Sequence, residues 1–375
     1  MPEKKKILFL IPTLMHGGAE RVLVNLANHM DHTKYDVTIQ TLFNEGVNKK
    51  LLSEKVRYIS NFERIFRGFT QIMKIFSPKR LYRALIKVEY DVVVSFLEGP
   101  TARILAGCPY PNTKKIAWIH IEQHTMKAFA RSFRSTREAL WAYGVFDRIV
   151  CVSRTVKDDF DSLSGLGDKS IVLYNVNDVK WILEKAKEKV EDFDFDEERP
   201  VFCSVAKVTH TKGYERLAKI HKHLIQEGLR HRVIVIGTGE SEDRIRKYCI
   251  ENHIDKTFML IGYRENPYKY VRMCDGYICS SYREGFSTAV TEALILGVPC
   301  ISTNCSGAYE LLGDSCEYGV VTENQDEALY QAVKDWLQCP EKIEEYREKA
   351  IRRGKKFSTE HTVSCIEKMF DEVTS

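Results

Sequence analysis

Short apolar runs rich in β-branched residues recur along the chain, each followed by residues whose apolar positions repeat at helical spacing. In the first half the runs are KILFLIP, YDVTIQTL, DVVVSF, KIAWIH, RIVCVS and SIVLYN; in the second they are VFCSVAKV, HRVIVIG, FMLIG, GYICSS, PCIST and GVVT. Near-continuous apolar strands alternating with helices are the pattern of parallel sheets covered on both faces. Two such series predict an α/β protein with two doubly wound, Rossmann-like parallel-sheet domains. The helix after the first run shows the spacing: Ala19, Val22, Leu23, Leu26, Ala27 and Met30 fall on one face, which is expected to be buried. At the other end, FSTEHTVSCIEKMFDEVTS offers Ser358 as an N-cap, Glu360 in the first turn, and Val363, Ile366, Met369 and Phe370 along one side.

A length of 375 residues exceeds what one hydrophobic core usually serves. The boundary between the two series falls in VKWILEKAKEKVEDFDFDEERP, a charged helical stretch ending in an acidic segment and Pro200. The expected division is therefore an N-terminal domain over 1–178, a linker over 179–200, a C-terminal domain over 201–356, and a final helix over 357–375 that returns to the N-terminal domain.

Composition narrows the class. A hydrophobic content of 44% with 29% charged residues reads as soluble and globular. Eleven cysteines are scattered with no C-x-x-C pair and no metal-ligand spacing, which argues for reduced thiols in a cytoplasmic chain, with neither disulfides nor a zinc site. The opening MPEKKKILFLIPTLM imitates a signal peptide, but Pro12 interrupts the apolar run and an amphipathic segment follows, so it is read as a buried strand. No stretch reaches the roughly 18–20 consecutive apolar residues of a membrane-spanning helix. The net charge of +4 hides an asymmetry: residues 1–178 carry 27 Lys and Arg against 18 Asp and Glu, the remainder 29 against 34. A basic N-terminal half suggests an anionic partner, whether a membrane surface, a phosphorylated ligand or nucleic acid.

Ligands of doubly wound sheets bind at the carboxyl ends of the strands, so the strand exits carry the candidate chemistry. After the first strand, Gly17 and Gly18 precede a helix and would let backbone N–H groups approach an anion, or would simply make a turn. After VFCSVAKV, Lys207 and Lys212 lie five residues apart around a loop; two cations there suit a diphosphate leaving as a nucleotide, or are two solvated surface lysines. After GYICSS comes YREGF, with Ser287 placed to cap a helix TAVTEALIL that Gly297 and Pro299 stop. Glu284 then sits in the exit loop and Glu292 about one turn inside the helix. Gly285 lets the backbone come close to a ligand, and the N–H groups of Phe286, Ser287 and Thr288 open toward the same place. Two carboxylates beside an amide-rich helix start match a phosphate bounded by sugar hydroxyls; the plainer reading makes Glu284 a dipole-favoured acid and Glu292 a surface charge.

EGFSTAVTEALILGVP resembles the E-x7-E motif of retaining glycosyltransferases of the GT-B fold, in particular the family-four group that includes many bacterial capsule, lipopolysaccharide and exopolysaccharide enzymes. Further similarities run in order along most of the chain: GGAER, WIH at Trp118–His120, VCVS at Val150–Ser153, YNVN at Tyr174–Asn177, the Lys207/Lys212 loop, IGTG at Ile236–Gly239 and IGY at Ile261–Tyr263. The resemblance implies two Rossmann-like domains facing a central cleft. It implies that Glu292 binds the donor ribose and that Glu284 lies beside the transferred sugar. Phe286 to Thr288 would meet sugar and diphosphate, Gly17 and Gly18 would close over the site, and Gly285 and Tyr263 would belong to the donor-binding set. Lys207 and Lys212 would stabilise the departing diphosphate without a metal or other cofactor. Lys207 stands where many relatives have arginine, and so supplies a point charge in place of a bidentate fork. His120 matches a strand-exit histidine near the reacting sugar, with His124 close by in sequence.

The implied donor is a nucleotide diphosphate sugar, most often a uridine diphosphate sugar with guanosine diphosphate sugars next, and the implied acceptor a glycan or a polyprenyl-diphosphate-linked acceptor. Residues 61–88 hold seven Lys or Arg against one acid, interleaved with Phe62, Ile65, Phe66, Phe69, Ile72, Ile75 and Phe76. Lys127, Arg131, Arg134 and Arg137 form a second basic run. Such stretches either pack their aromatics on the domain or lie on an anionic bilayer. With a lipid-linked acceptor, the second is the expectation: a peripheral enzyme on the inner face of the cell membrane. Competing readings are a nicotinamide dehydrogenase, which should show G-x-G-x-x-G after its first strand, a non-hydrolysing nucleotide-sugar epimerase of the same fold, and a non-catalytic binder of anionic ligands. No nucleic-acid recognition motif is present, so nucleic acid is not an expected partner.

Overall fold

The computed structural model describes residues 3–195 and 199–375. The chain divides into two compact units, one taking in residues up to Val176 together with Thr359–Ser375, the other Asn177–Ser358.

The first unit is built on a seven-stranded, all-parallel sheet: β1 (Lys5–Ile11), β2 (Tyr35–Phe43), β3 (Arg57–Phe62), β4 (Val92–Ser95), β5 (Lys114–Ile119), β6 (Arg148–Cys151) and β7 (Ser170–Val172). Their order is β3-β2-β1-β4-β5-β6-β7. The chain thus works outward from β1 on one side, crosses back, and works outward from β4 on the other. The central strand is buried on both faces, Ile7 through Ile11 having no exposed surface, which is why it reads as an unbroken apolar run. The six apolar runs of the first half supply six of these strands. The seventh, β3, is a sheet edge whose residues are all half-buried or exposed, and it contains Arg57 and Asn61, so no apolar run marks it.

The second unit holds six parallel strands, β8 (Val201–Val205), β9 (Arg232–Ile236), β10 (Phe258–Gly262), β11 (Gly276–Cys279), β12 (Cys300–Thr303) and β13 (Val320–Thr322), in the order β10-β9-β8-β11-β12-β13. Here the reversal lies between β8 and β11. At such a reversal the helices leave to opposite faces and the strand ends part, leaving the crevice where ligands of this architecture sit.

The segment 179–200, read from sequence as a linker, clusters with the second unit as far as it is described; residues 196–198 lie outside the described residues. A helix, Val179–Lys185, opens it, with Asp178 accepting from the Trp181 amide as cap. Asn266 Nδ2 donates to the Lys185 carbonyl at 2.8 Å, and Arg264 meets the Asp192 carboxylate at 3.0 Å. The last helix, Thr359–Thr374, belongs to the first unit. Val363, Ile366, Met369 and Phe370 are buried, and the Phe370 ring stands edge-on to Phe9 of β1 at 6.1 Å between centroids. Asp371 accepts from Lys5 at 3.1 Å and from the Tyr35 hydroxyl at 2.9 Å, fastening this helix to the starts of β1 and β2.

Candidate active site

In the second unit the two loops at the β8/β11 reversal are stitched together. The loop after β8 carries Lys207 and Lys212; the loop after β11 carries Glu284. Tyr282 N donates to the Thr211 carbonyl at 2.8 Å, and Ser280 Oγ donates to the Lys212 carbonyl at 2.9 Å. Gly213 makes this approach possible: its φ is +69°, and a Cβ there would stand 1.9 Å from the Ser280 carbonyl oxygen. The result is that Lys212 Nζ donates to both oxygens of Glu284, at 2.7 and 2.8 Å, while Ser281 Oγ donates to Oε1 at 2.6 Å. The pair is largely out of water, with 25% and 13% of the side chains exposed. Burial works against the Lys212 charge, but the Glu284 carboxylate outweighs it and holds the ammonium above its ordinary range.

The β11 exit is fixed from behind by a residue the sequence pattern did not single out. Arg216, fully buried in the helix Tyr214–Gln226, donates from Nε to the Ser280 carbonyl and from Nη2 to the Ser281 carbonyl, both at 2.8 Å. Its guanidinium lies 3.9 Å from the Tyr282 ring centroid and also reaches Asn324 Oδ1 at 2.8 Å. Thr303 Oγ1 donates to the same Ser281 carbonyl at 2.6 Å, and Asn324 Nδ2 to the Tyr282 carbonyl at 2.9 Å. A signal was present in the sequence: Arg216 falls on the stripe it shares with Ile220 and Leu224, four and eight residues on, so a charge stood on the apolar face.

Glu284 leads directly into the helix Thr288–Ile295. Ser287 caps it, accepting from the Val290 amide at 3.3 Å. Gly285 and Phe286 are buried just ahead of it, and the amides of the first turn have no acceptor within the helix itself. Glu292 lies one turn in, where the Tyr268 hydroxyl donates to Oε1 at 3.1 Å. The eight-residue spacing therefore separates the two carboxylates by a loop and a helical turn. Lys207 is exposed on the same loop as Lys212, with no ion pair among the described residues. Tyr263, half exposed, follows β10, two strands from β8.

In the first unit the corresponding exits belong to β1, β4 and β5. Gly17 is extended and precedes the helix Gly18–His29, whose first turn holds Glu20. The loop leading to it is pinned to the exit of β2: Leu14 N donates to the Glu45 carbonyl at 2.9 Å, and Asn48 Nδ2 to the Met15 carbonyl at 2.5 Å. After β4 the chain turns through Glu98 and Gly99, the latter at φ +103° and ψ −122°, a combination open in practice only to glycine. Glu98 accepts from the His120 amide at 3.1 Å, so the exits of β4 and β5 are tied. The His120 Nε2 is buried without a hydrogen-bond partner among the described residues. Burial pulls the imidazole down to about 3, against a smaller opposing effect from a hydrogen bond to the Phe96 backbone. The ring is thus neutral near pH 7. His124 differs: it is exposed, adopts φ +58°, and its amide donates to Asp159 Oδ1 at 3.0 Å.

The Glycosyltransferase Family 4 model matches residues 16–181, and the Glycosyl transferases group 1 model matches residues 185–357, so that between them they take in both sets of strand exits. The chain belongs to these glycosyltransferases. Among similar curated proteins is the N-acetylgalactosamine-N,N'-diacetylbacillosaminyl-diphospho-undecaprenol 4-alpha-N-acetylgalactosaminyltransferase of Campylobacter jejuni, 24% identical over 94% of this chain and 96% of that one. Another is the GalNAc-alpha-(1->4)-GalNAc-alpha-(1->3)-diNAcBac-PP-undecaprenol alpha-1,4-N-acetyl-D-galactosaminyltransferase of the same organism, 26% identical over 96% of each. Among solved structures, Anabaena Alr3699/HepE in complex with UDP and glucose superposes with a TM-score of 0.77 over 98% of this chain and 99% of that one, at 16% identity. The glycosyltransferase therefore has the GT-B fold, two Rossmann-like domains with parallel sheets. Its eleven cysteines are all free, and no group of three or more His, Cys, Asp or Glu among the described residues is placed to hold a metal. No described helix of this glycosyltransferase is long and apolar enough to cross a membrane.

Proposed function

We propose that this glycosyltransferase moves a hexose-type sugar, with retention of anomeric configuration, from a uridine diphosphate sugar to a lipid-linked glycan in bacterial surface polysaccharide synthesis. The observation that carries the reading is the Lys212–Glu284 contact at the β8/β11 reversal, with Glu292 one helical turn beyond. The family and the E-x7-E pattern support the same assignment, and the undecaprenyl-diphosphate acceptors named for the two Campylobacter relatives support the acceptor.

In this reading the diphosphate takes over the hydrogen bonds that Lys212 gives to Glu284. Lys212 and the exposed Lys207 then neutralise the charge that grows on the leaving nucleotide, together with the N–H groups of Phe286, Ser287 and Thr288. Glu284, released from Lys212 but held by Ser281, accepts from hydroxyls of the sugar. Glu292 accepts from the ribose hydroxyls. Gly285 keeps the backbone close to the ligand, and Tyr263 stands with the donor set. No metal is required, because the lysines supply the positive charge. His120, neutral and with one ring nitrogen unpaired, serves as a hydrogen-bond acceptor for a sugar hydroxyl and not as an acid. Gly17 and Gly18, at the exit of β1, offer backbone amides to an anion. The protein works in the cytoplasm, peripheral to the membrane that carries its acceptor.

The test is turnover with a panel of UDP- and GDP-sugars and a polyprenyl-diphosphate-linked glycan, following nucleotide release and the product linkage by NMR. The expected result is acceptor-dependent release of UDP with the donor's anomeric configuration kept. An inverted product, or an epimerised nucleotide sugar with no transfer, would overturn the proposal.

A further inference from the structure

The basic, aromatic stretch over residues 61–88 is not one helix. Phe62 ends β3, and after a loop come two short helices, Phe69–Ile75 and Pro78–Leu85. One side of the first helix is ordinary core: Phe69 and Met73 are buried, and Phe69 packs edge-on with Phe43, Phe62 and Phe66, with centroids 4.8 to 5.8 Å apart. The other side is apolar too, and it is bare. Ile75 is 71% exposed, and Ile72 and Phe76 are each 44% exposed. A helix apolar on both sides belongs between two layers, and here only one layer is present.

Seven residues of chain would not hold a helix in water unaided. This one is held at its C-terminal end by two guanidiniums. Arg103, fully buried, donates to the carbonyls of Met73 at 2.7 Å and Phe76 at 2.8 Å. Arg134, from the second basic run, donates to the carbonyls of Lys74 and of Ile75, the latter at 2.5 Å. Both are tied to Glu138, which accepts from the Arg103 side chain at 2.9 Å and from the Arg134 amide at 2.6 Å. The exposed apolar edge is therefore a preformed, braced projection. Around it, the seven Lys and Arg between residues 64 and 87 form no ion pair among the described residues. Exposed apolar tips within a field of unpaired cations complement a surface that is anionic outside and apolar beneath.

We infer that the Arg103- and Arg134-braced helix Phe69–Ile75 is a rigid wedge, seating Ile72, Ile75 and Phe76 in the headgroup region of an anionic bilayer. The surface stands on this geometry; only its use, to meet a lipid-linked acceptor, rests on the proposed function.

Flotation of the full-length protein with vesicles tests it. With phosphatidylcholine vesicles containing phosphatidylglycerol the wild type is expected to float, and with phosphatidylcholine alone to bind at least about tenfold more weakly. Ile75→Asp/Phe76→Asp is expected to need about tenfold more anionic lipid for half-maximal binding. Ile250→Asp, changing a 62% exposed isoleucine of the second unit, should float as the wild type does. A wild type that stays in solution, equal binding to both vesicles, or a double variant that floats unchanged would overturn the wedge. UDP binding measured on the same double variant separates the two claims, since it should be unaffected by loss of the wedge.

Discussion

Lys212→Gln is expected to lower sugar transfer by about 10²–10³-fold while the protein stays folded, a loss typical of removing one preorganised donor from a developing anion. In the proposed reading this cation holds the donor's diphosphate. It is mostly shielded from water, and it grips an anion, the Glu284 carboxylate, through two hydrogen bonds at 2.7 and 2.8 Å. A group that forks two carboxylate oxygens suits two phosphate oxygens equally well. Glutamine keeps the reach and a donor but loses the charge, so nucleotide affinity should fall with the rate. Steady-state kinetics alongside a thermal melt checks this. A variant with near wild-type kcat/KM would remove Lys212 from the reaction.

The second large effect concerns stability. Arg216→Leu is expected to cost about 2–4 kcal/mol, because it takes the Arg216 donor from the buried Ser280 carbonyl and from the Ser281 carbonyl, which Thr303 still serves, and removes the stacking partner of Tyr282. For a unit of this size, that corresponds to a melting point lower by roughly 10 °C. Arg216→Lys retains the charge without the planar fork, so it should recover only part of the loss. If Arg216→Leu melted within a degree or two of the wild type, the guanidinium would not be what fixes the β11 exit.

The alternation of apolar runs and helical spacing made two parallel sheets legible, because buried strands of such sheets leave no polar face to interrupt the run. It missed β3, an edge strand with only part-buried residues. Glu284, Lys207 and Lys212 drew notice by their positions after strands and Glu292 by its place in the helix that follows, while their separate roles toward sugar, ribose and diphosphate came from the family resemblance. What no spacing could disclose was that Lys212 and Glu284, 72 residues apart, form an ion pair, since that depends on which strands lie side by side. Arg216 was hidden for a related reason: its partners are main-chain carbonyls, which leave no mark in a sequence. The basic run over 61–88 was visible as composition, yet its division into an edge strand and two helices followed from Gly68 and from Ser77–Pro78, whose local conformations end one element and start the next.

Every role proposed for the second unit depends on a nucleoside diphosphate binding there between Lys212 and Glu292. Isothermal titration of UDP and GDP into the wild type and Glu292→Ala measures this without relying on turnover. UDP is expected to bind the wild type, and Glu292→Ala to bind it about 10- to 100-fold more weakly, as loss of charge-assisted hydrogen bonds implies, with little change in melting temperature. No binding of either nucleotide by the folded wild type, or equal affinity in Glu292→Ala, would contradict the assignment.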